Sequence, residues 1–184
     1  MGQGEAISVL CRAYILTNKS CYLESLKNAA IFLKKDIKYG GVMRADSEDV
    51  VFEEYASVNS EKISVLNGWI FTLFGLFDYI KLIPDLKYEK LLYASVLTLE
   101  KYLQCYDCGY WSMYDLSGRI ASPAYHDLHI DLLYVMSDLT DIDSFSKYAE
   151  KWSKYKESNL NKFKAIVRKI GQKLLESSEG VVIQ

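Results

Sequence analysis

The sequence predicts a mainly α-helical chain, a partial α/α toroid built of helical hairpins with small β-hairpins between the helix pairs. Three observations lead there. Only 2 prolines stand among 184 residues, beside 15 tyrosines, a balance that favours long uninterrupted helices. Residues 63–81 form one long apolar run, and the segments around it are amphipathic at helical period. The order helix, helix, hairpin then recurs at a spacing of roughly sixty residues, the mark of stacked helical hairpins that cannot bury their inner faces alone.

The elements follow in order. Residues 4–17 and 20–35 read as two helices joined by a short polar turn. Gly40-Gly41 releases the second helix, and residues 42–44 and 50–52 flank the polar turn "ADSED" as a small hairpin. Glu53-Glu54-Tyr55 leads back to the apolar helix 63–81, and an amphipathic helix 85–104 comes next. Gly109 opens a second hairpin over 110–120. Ser122-Pro123 offers a cap and a first helical residue for a helix over 122–137, and helices over 144–156 and 159–176 complete the chain. In a toroid of such hairpins the inner helices are apolar and the outer ones amphipathic. The returns from hairpin to inner helix gather at one cleft.

With half its residues hydrophobic, the chain has the material for one domain over 1–184 with a real core. Its 22 basic and 24 acidic residues leave a net charge of −2, which supplies no overall electrostatic reason to expect a nucleic acid or an anionic membrane as the main partner. The run 63–83 has the length of a membrane span, but Asn67, Asp78 and Lys81 interrupt it, so it reads as a buried helix. The lysine-rich stretch 147–173, with Trp152, Tyr155 and Phe163 interleaved, reads as solvated outer helix rather than as a basic binding face. The first ten residues lack the basic region and cleavage site of a signal peptide, and Ala6 stands where a myristoylation motif wants Ser or Thr; both favour a cytoplasmic location for the chain as it stands.

Two groupings could carry chemistry. Cys105 and Cys108 with His126 and His129 are the residue types of a tetrahedral zinc site, although the histidines sit one turn apart on a helix and the cysteines at a helix end. The other grouping is Glu54, Tyr55, Tyr114, Arg119, Tyr125 and His126, all in or beside the returns to inner helices. A phenol, with its ordinary pKa near 10, is a competent proton donor, and a flanking cation makes it a competent base. A pair of such groups on opposite faces of a sugar can remove and return a proton.

Six short motifs in order, "GQGEAIS" at 2–8, "EEY" at 53–55, "VLNG" at 65–68, "GLFD" at 75–78, "YDL" at 114–116 and "YHDLHI" at 125–130, resemble the C-terminal domain of the D-glucuronyl C5-epimerases. The resemblance runs from Gly2 to about Tyr155. It implies an α/α toroid that inverts C5 of glucuronic acid in a heparosan-type polysaccharide, with no organic cofactor. It also implies that Tyr55, Tyr114 and Tyr125 correspond to the family's functional tyrosines and Glu54 to the acidic residue beside the first of them. Arg119, His126 and Asn67 are the substrate-binding candidates. The family pattern has both histidines but not the cysteines, so the zinc reading loses its thiolates.

One departure is that the family's arginine directly after Tyr-Asp-Leu is Ser117 here, with Arg119 two residues on. The expected chemistry is abstraction of the C5 proton by Glu54 or Tyr55 and return of a proton from the other face by Tyr125 or Tyr114. A uronate lyase begins with the same proton, and a non-catalytic glycan-binding or assembly module would use the tyrosines as stacking platforms. Family members also carry an N-terminal region whose β structure lines the cleft, which this chain is expected to lack. An incomplete toroid exposes apolar inner faces that invite self-association.

Overall fold

The computed structural model describes residues 1–46, 49–56 and 63–175. The turn residues 47–48 of the first hairpin and Glu176, the expected last residue of the final helix, lie outside them. The described chain is mainly helical: α1 (Gly2–Thr17), α2 (Ser20–Leu33), β1 (Met43–Asp46), β2 (Asp49–Phe52), α3 (Leu66–Leu82), α4 (Leu86–Tyr102), α5 (Pro123–Thr140), α6 (Asp143–Glu157) and α7 (Asn159–Leu175). Short 3-10 turns follow α2 and α4, at Ile37–Tyr39 and Leu103–Tyr106.

The helices pair as the sequence order suggests. Asn18 ends α1 in the left-handed conformation and returns its N–H to the Tyr14 carbonyl, so α2 can start two residues later and lie against α1. Asp85 caps α4 by accepting the Lys87 N–H at 2.8 Å, directly after α3 has ended. Ser122 accepts the Tyr125 N–H and Pro123 follows it at the first helical position, which starts α5 where the sequence predicts. Each of α2, α4 and α6 packs on the helix before it, while α3 touches both α1 and α5.

α3 is the centre of the core. Leu66, Trp69, Ile70, Leu73 and Leu76 have no exposure, and Trp69 donates its indole N–H to Ser95 on α4 at 2.8 Å. α1 crosses α3 at two glycines: a Cβ at Gly4 would run into the backbone of Phe71 and Thr72, and one at Gly75 into the backbone of Gly4. The absence of side chains is what lets the two backbones meet. The β1–β2 hairpin pairs Met43 with Phe52 and Arg44 with Val51, and it is fixed to α4 by the Val50 N–H donating to Thr98 Oγ1 at 3.0 Å.

Two expectations change. The apolar helix starts at Leu66 and not at 63, because Ser64 is held at φ 46° and the Leu66 N–H is taken by the Tyr114 carbonyl. The second hairpin, expected over 110–120, reverses the chain without forming strands: only isolated bridges join Asp107 to Ser112 and Met113 to Ile120. Much of its backbone bonds elsewhere, Leu116 N–H to the Ile63 carbonyl and Met113 N–H to the Tyr106 carbonyl, while Asp115 takes the N–H groups of Ser117 and Arg119. The bonds of Leu116 to Ile63 and of Leu66 to Tyr114 tie the segment to the entry of α3.

Candidate functional site

The stretch Glu53-Glu54-Tyr55 sends its three side chains three ways. Glu53 is buried and accepts from both the N–H and the hydroxyl of Ser64, at 2.8 and 3.0 Å, with the Arg44 guanidinium 3.5 Å away. Tyr106 locks the same residue by donating its hydroxyl to the Ser64 carbonyl at 2.7 Å. Glu53 is therefore a structural fastener between β2 and the start of α3.

Glu54 turns the other way and lies over Gly68 in the first turn of α3, where a Cβ would collide with its carboxylate. Its Oε2 is buried and has no hydrogen-bond partner among the described residues. The Met1 ammonium is near enough to feel the charge of Glu54, which offsets part of the cost of burying a carboxylate oxygen without a donor. Tyr55 extends outward, 53% exposed, and lies close enough to Tyr114 to help raise the pKa of that phenol.

Tyr114 is the hub. The ring of Tyr125, from the first turn of α5, meets it edge to face with centroids 5.0 Å apart. The Arg119 guanidinium lies 5.2 Å and the Lys169 ammonium 5.7 Å from its ring centroid. Burial first, and then the negative charge of Glu54, push the Tyr114 phenol well above its ordinary pKa, so it stays protonated. Arg119 is aimed by Asp115, fully buried beneath the turn, which pairs with its guanidinium and also accepts from the Ser117 hydroxyl at 2.7 Å. The residue that replaces the expected arginine thus helps to hold the carboxylate that positions Arg119.

The remaining candidates lie inside the protein. His126 has no exposure and stacks on Trp111 at 3.7 Å; its Nδ1 faces Ser112 Oγ at 2.8 Å and its Nε2 the Trp152 carbonyl at 3.1 Å. Both ring nitrogens are engaged by the protein, so His126 has no group left for a substrate and acts instead on the seating of α5. His129 shares Ser112 through its own Nδ1 at 3.0 Å. Burial lowers His126 to about 4 and His129 to about 3, and both are neutral at physiological pH. Asn67 is buried beside Gly68, its amide N–H directed at the Met1 sulfur 3.8 Å away and its Oδ1 without a partner among the described residues.

Of the zinc grouping, Cys108 donates to the Trp111 carbonyl and Cys105 faces outward as a free thiol. Among the described residues no three His, Cys, Asp or Glu side chains are gathered as a metal site. An apolar groove of about 770 Å³ runs between α1, α3 and α5, lined by Phe71, Phe74, Phe77 and Val135, away from the tyrosines. Glu5, Ser8, Arg12, Asp78 and Lys81 also line it, with Arg12 paired to Asp78 at 2.7 Å, and none of the tyrosine candidates reaches it.

Sequence reasoning placed the last helix, α7, but missed its part in holding the site. Its Arg168 and Gln172 donate to the Gly118 carbonyl, at 3.2 and 2.8 Å, and Lys169 donates to that of Ile120 at 3.0 Å, clamping the turn that carries Arg119. A helix that turns polar side chains inward leaves no trace in a reading based on apolar period.

The site is a half-open shelf of three phenols and two cations beside a carboxylate oxygen unpartnered among the described residues, on a helical domain. Its class is that of a mainly α-helical domain of paired helices that gathers tyrosines, an arginine and a carboxylate at the returns to its helices. The family described as D-glucuronyl C5-epimerase C-terminus matches residues 1–154, and the chain belongs to that family. It is 31% identical over 174 residues to the D-glucuronyl C5-epimerase of Caenorhabditis elegans, covering 84% of this chain and 28% of that protein. It is 27% identical over 155 residues to an uncharacterized protein of Methanocaldococcus jannaschii, covering 82% of this chain and 49% of that protein. The chain thus spans less than half the length of these curated relatives.

Proposed function

We propose that this domain carries the proton-transfer groups of a uronyl C5-epimerase and acts on glucuronic acid residues within a heparosan-like polysaccharide. The observation that carries the reading is the cluster itself: Tyr55 close to Tyr114, Tyr125 packed against it, Arg119 beside it, and Glu54 near enough for its charge to raise the Tyr114 phenol, with one oxygen unsatisfied among the described residues. Inversion at C5 breaks one C–H bond and makes another on the opposite face, with no net oxidation. A base takes the proton and leaves an enediolate, whose charge needs fixed donors around the sugar carboxylate. An acid on the other face then returns a proton to C5.

Glu54 suits the first task, because its Oε2 has a lone pair that no donor among the described residues uses. Tyr114, which its surroundings keep protonated, suits the second, and Tyr125 presents a second phenol hydroxyl beside it. Arg119, held in place by Asp115, offers its guanidinium to the substrate carboxylate. The test is hydrogen-isotope exchange at C5 of a heparosan-like polymer incubated with the protein in deuterated water. Exchange without a rise in unsaturated-uronate absorbance supports epimerisation. Absorbance growth means elimination, and binding with neither signal means a glycan-binding module.

A further inference from the structure

α7 is mounted the wrong way round for a helix of a solitary globular domain. Its small and polar residues face inward: Ala165 is buried against Trp111 and Ile120, and Arg168, Lys169 and Gln172 bond the 118–120 turn. Its apolar residues face outward. Leu160, Phe163, Val167, Ile170 and Leu174 recur at the spacing i, i+3, i+7, i+10, i+14, which lays them in one stripe along the helix, and each is between 52% and 81% exposed. The family match ends at residue 154, before this helix begins, so the resemblance assigns α7 no role.

The charges around the stripe indicate what covers it. Within Asn159–Leu175 there are five cationic residues, Lys162, Lys164, Arg168, Lys169 and Lys173, and no acidic one, in a chain whose net charge is −2. Lys162 and Lys173 flank the stripe on one side and Lys164 on the other, all three exposed. An apolar stripe edged by lysines on both sides matches an anionic lipid surface: the rings and branched chains enter the boundary between headgroups and acyl chains while the ammonium groups remain with the lipid phosphates. Pairing of α7 with α7 of a second copy would instead bring these lysines against one another.

We propose that α7 is a membrane-surface helix that docks this protein on anionic bilayers. The helix lies on the surface and does not span it; among the described residues no helix is long and apolar enough to cross a membrane. The balanced charge of the whole chain conceals this face, because the acidic residues that offset it lie on other elements.

The experiment is flotation of the whole chain with two kinds of vesicle, phosphatidylcholine alone and a mixture in which about a third is phosphatidylglycerol. The protein should float with the anionic vesicles and not with the neutral ones, and added salt should release it. Phe163→Glu combined with Ile170→Glu should abolish flotation, and Lys162→Glu with Lys173→Glu should cut the partition coefficient about tenfold or more. All these residues point away from the core, so circular dichroism of the variants should match the parent. Failure of the parent to bind anionic vesicles overturns the proposal. So does binding that ignores the Phe163 and Ile170 changes, and so does a lipid-free dimer that those changes dissociate, which would make a second copy the occupant.

Discussion

Tyr125 meets Tyr114 edge to face at 5.0 Å because two independent devices fix the start of α5: the Ser122 cap, and the stacking of His126 on Trp111 one residue further along. The contact joins the returning turn to the helix that follows it. Neither ring is part of the central core, so the pairing does little for stability and much for the relative placement of two hydroxyls.

Removing those hydroxyls should therefore leave the fold and take the chemistry. Tyr114→Phe and Tyr125→Phe keep the rings in contact; C5 isotope exchange on a heparosan-like polymer should fall by about 10²-fold or more in each, the scale of lost acid/base assistance. Thermal unfolding should stay close to that of the parent. Undiminished exchange in both variants would remove the phenols from the mechanism.

Leu73 has no exposure and lies at the middle of α3. Leu73→Ala should lower unfolding stability by about 2–5 kcal/mol in urea titrations, since the surrounding helices cannot collapse fully into the space left. A loss below about 0.5 kcal/mol, the range of surface substitutions, would contradict the central place given to α3.

At the α1–α3 crossing the tolerance is in the opposite direction. Gly75→Ala adds only one methyl group, but the atoms it meets are the backbone of Gly4, which cannot rotate away. We expect a destabilisation of about 1–3 kcal/mol, as for overpacking elsewhere. Gly2→Ala, where a Cβ meets nothing within 4 Å, serves as the control and should be neutral.

His126 and His129 make stability depend on pH. Burial lowers them to about 4 and about 3 from the ordinary 6.5, so between those values the unfolded chain binds protons that the folded one refuses. Their contribution is complete above about pH 6.5 and is lost as the pH falls towards 4 and then 3, by up to about 1.4 kcal/mol per pH unit for each proton. Chemical denaturation between pH 7 and pH 4 should show that slope, and His129→Gln should reduce it. An unchanged slope in that variant would mean that carboxylates alone produce it.

The sequence by itself was enough for what depends on neighbours along the chain. The apolar run around Leu73, the polar turn between α1 and α2, the Ser122-Pro123 start of α5 and the first hairpin are local signals, legible because a helix or a turn is decided within a few residues. Six motifs were enough to place the chain in its family, and they singled out Glu54, Tyr55, Tyr114 and Tyr125 before any of their positions were known.

What tertiary structure alone decided is which way each of those side chains points. Glu53 and Glu54 are the same residue type in adjacent positions, yet one is tied to Ser64 and the other lies over Gly68, because β2 ends there and consecutive side chains turn to opposite sides. His126, beside Tyr125 in sequence, turns inward to Trp111 and Ser112 because the helix rotates its neighbour by about 100°. The second hairpin gave up its strands because its backbone found partners at Ile63, Leu66 and Tyr106 from elsewhere in the chain. The face of α7 that is buried was set by the 118–120 turn it clamps, a contact across some fifty residues, whereas its apolar stripe, which any periodic reading would turn inward, was left outside. Orientation is a property of the partner as much as of the residue, and the partners here are far apart in sequence.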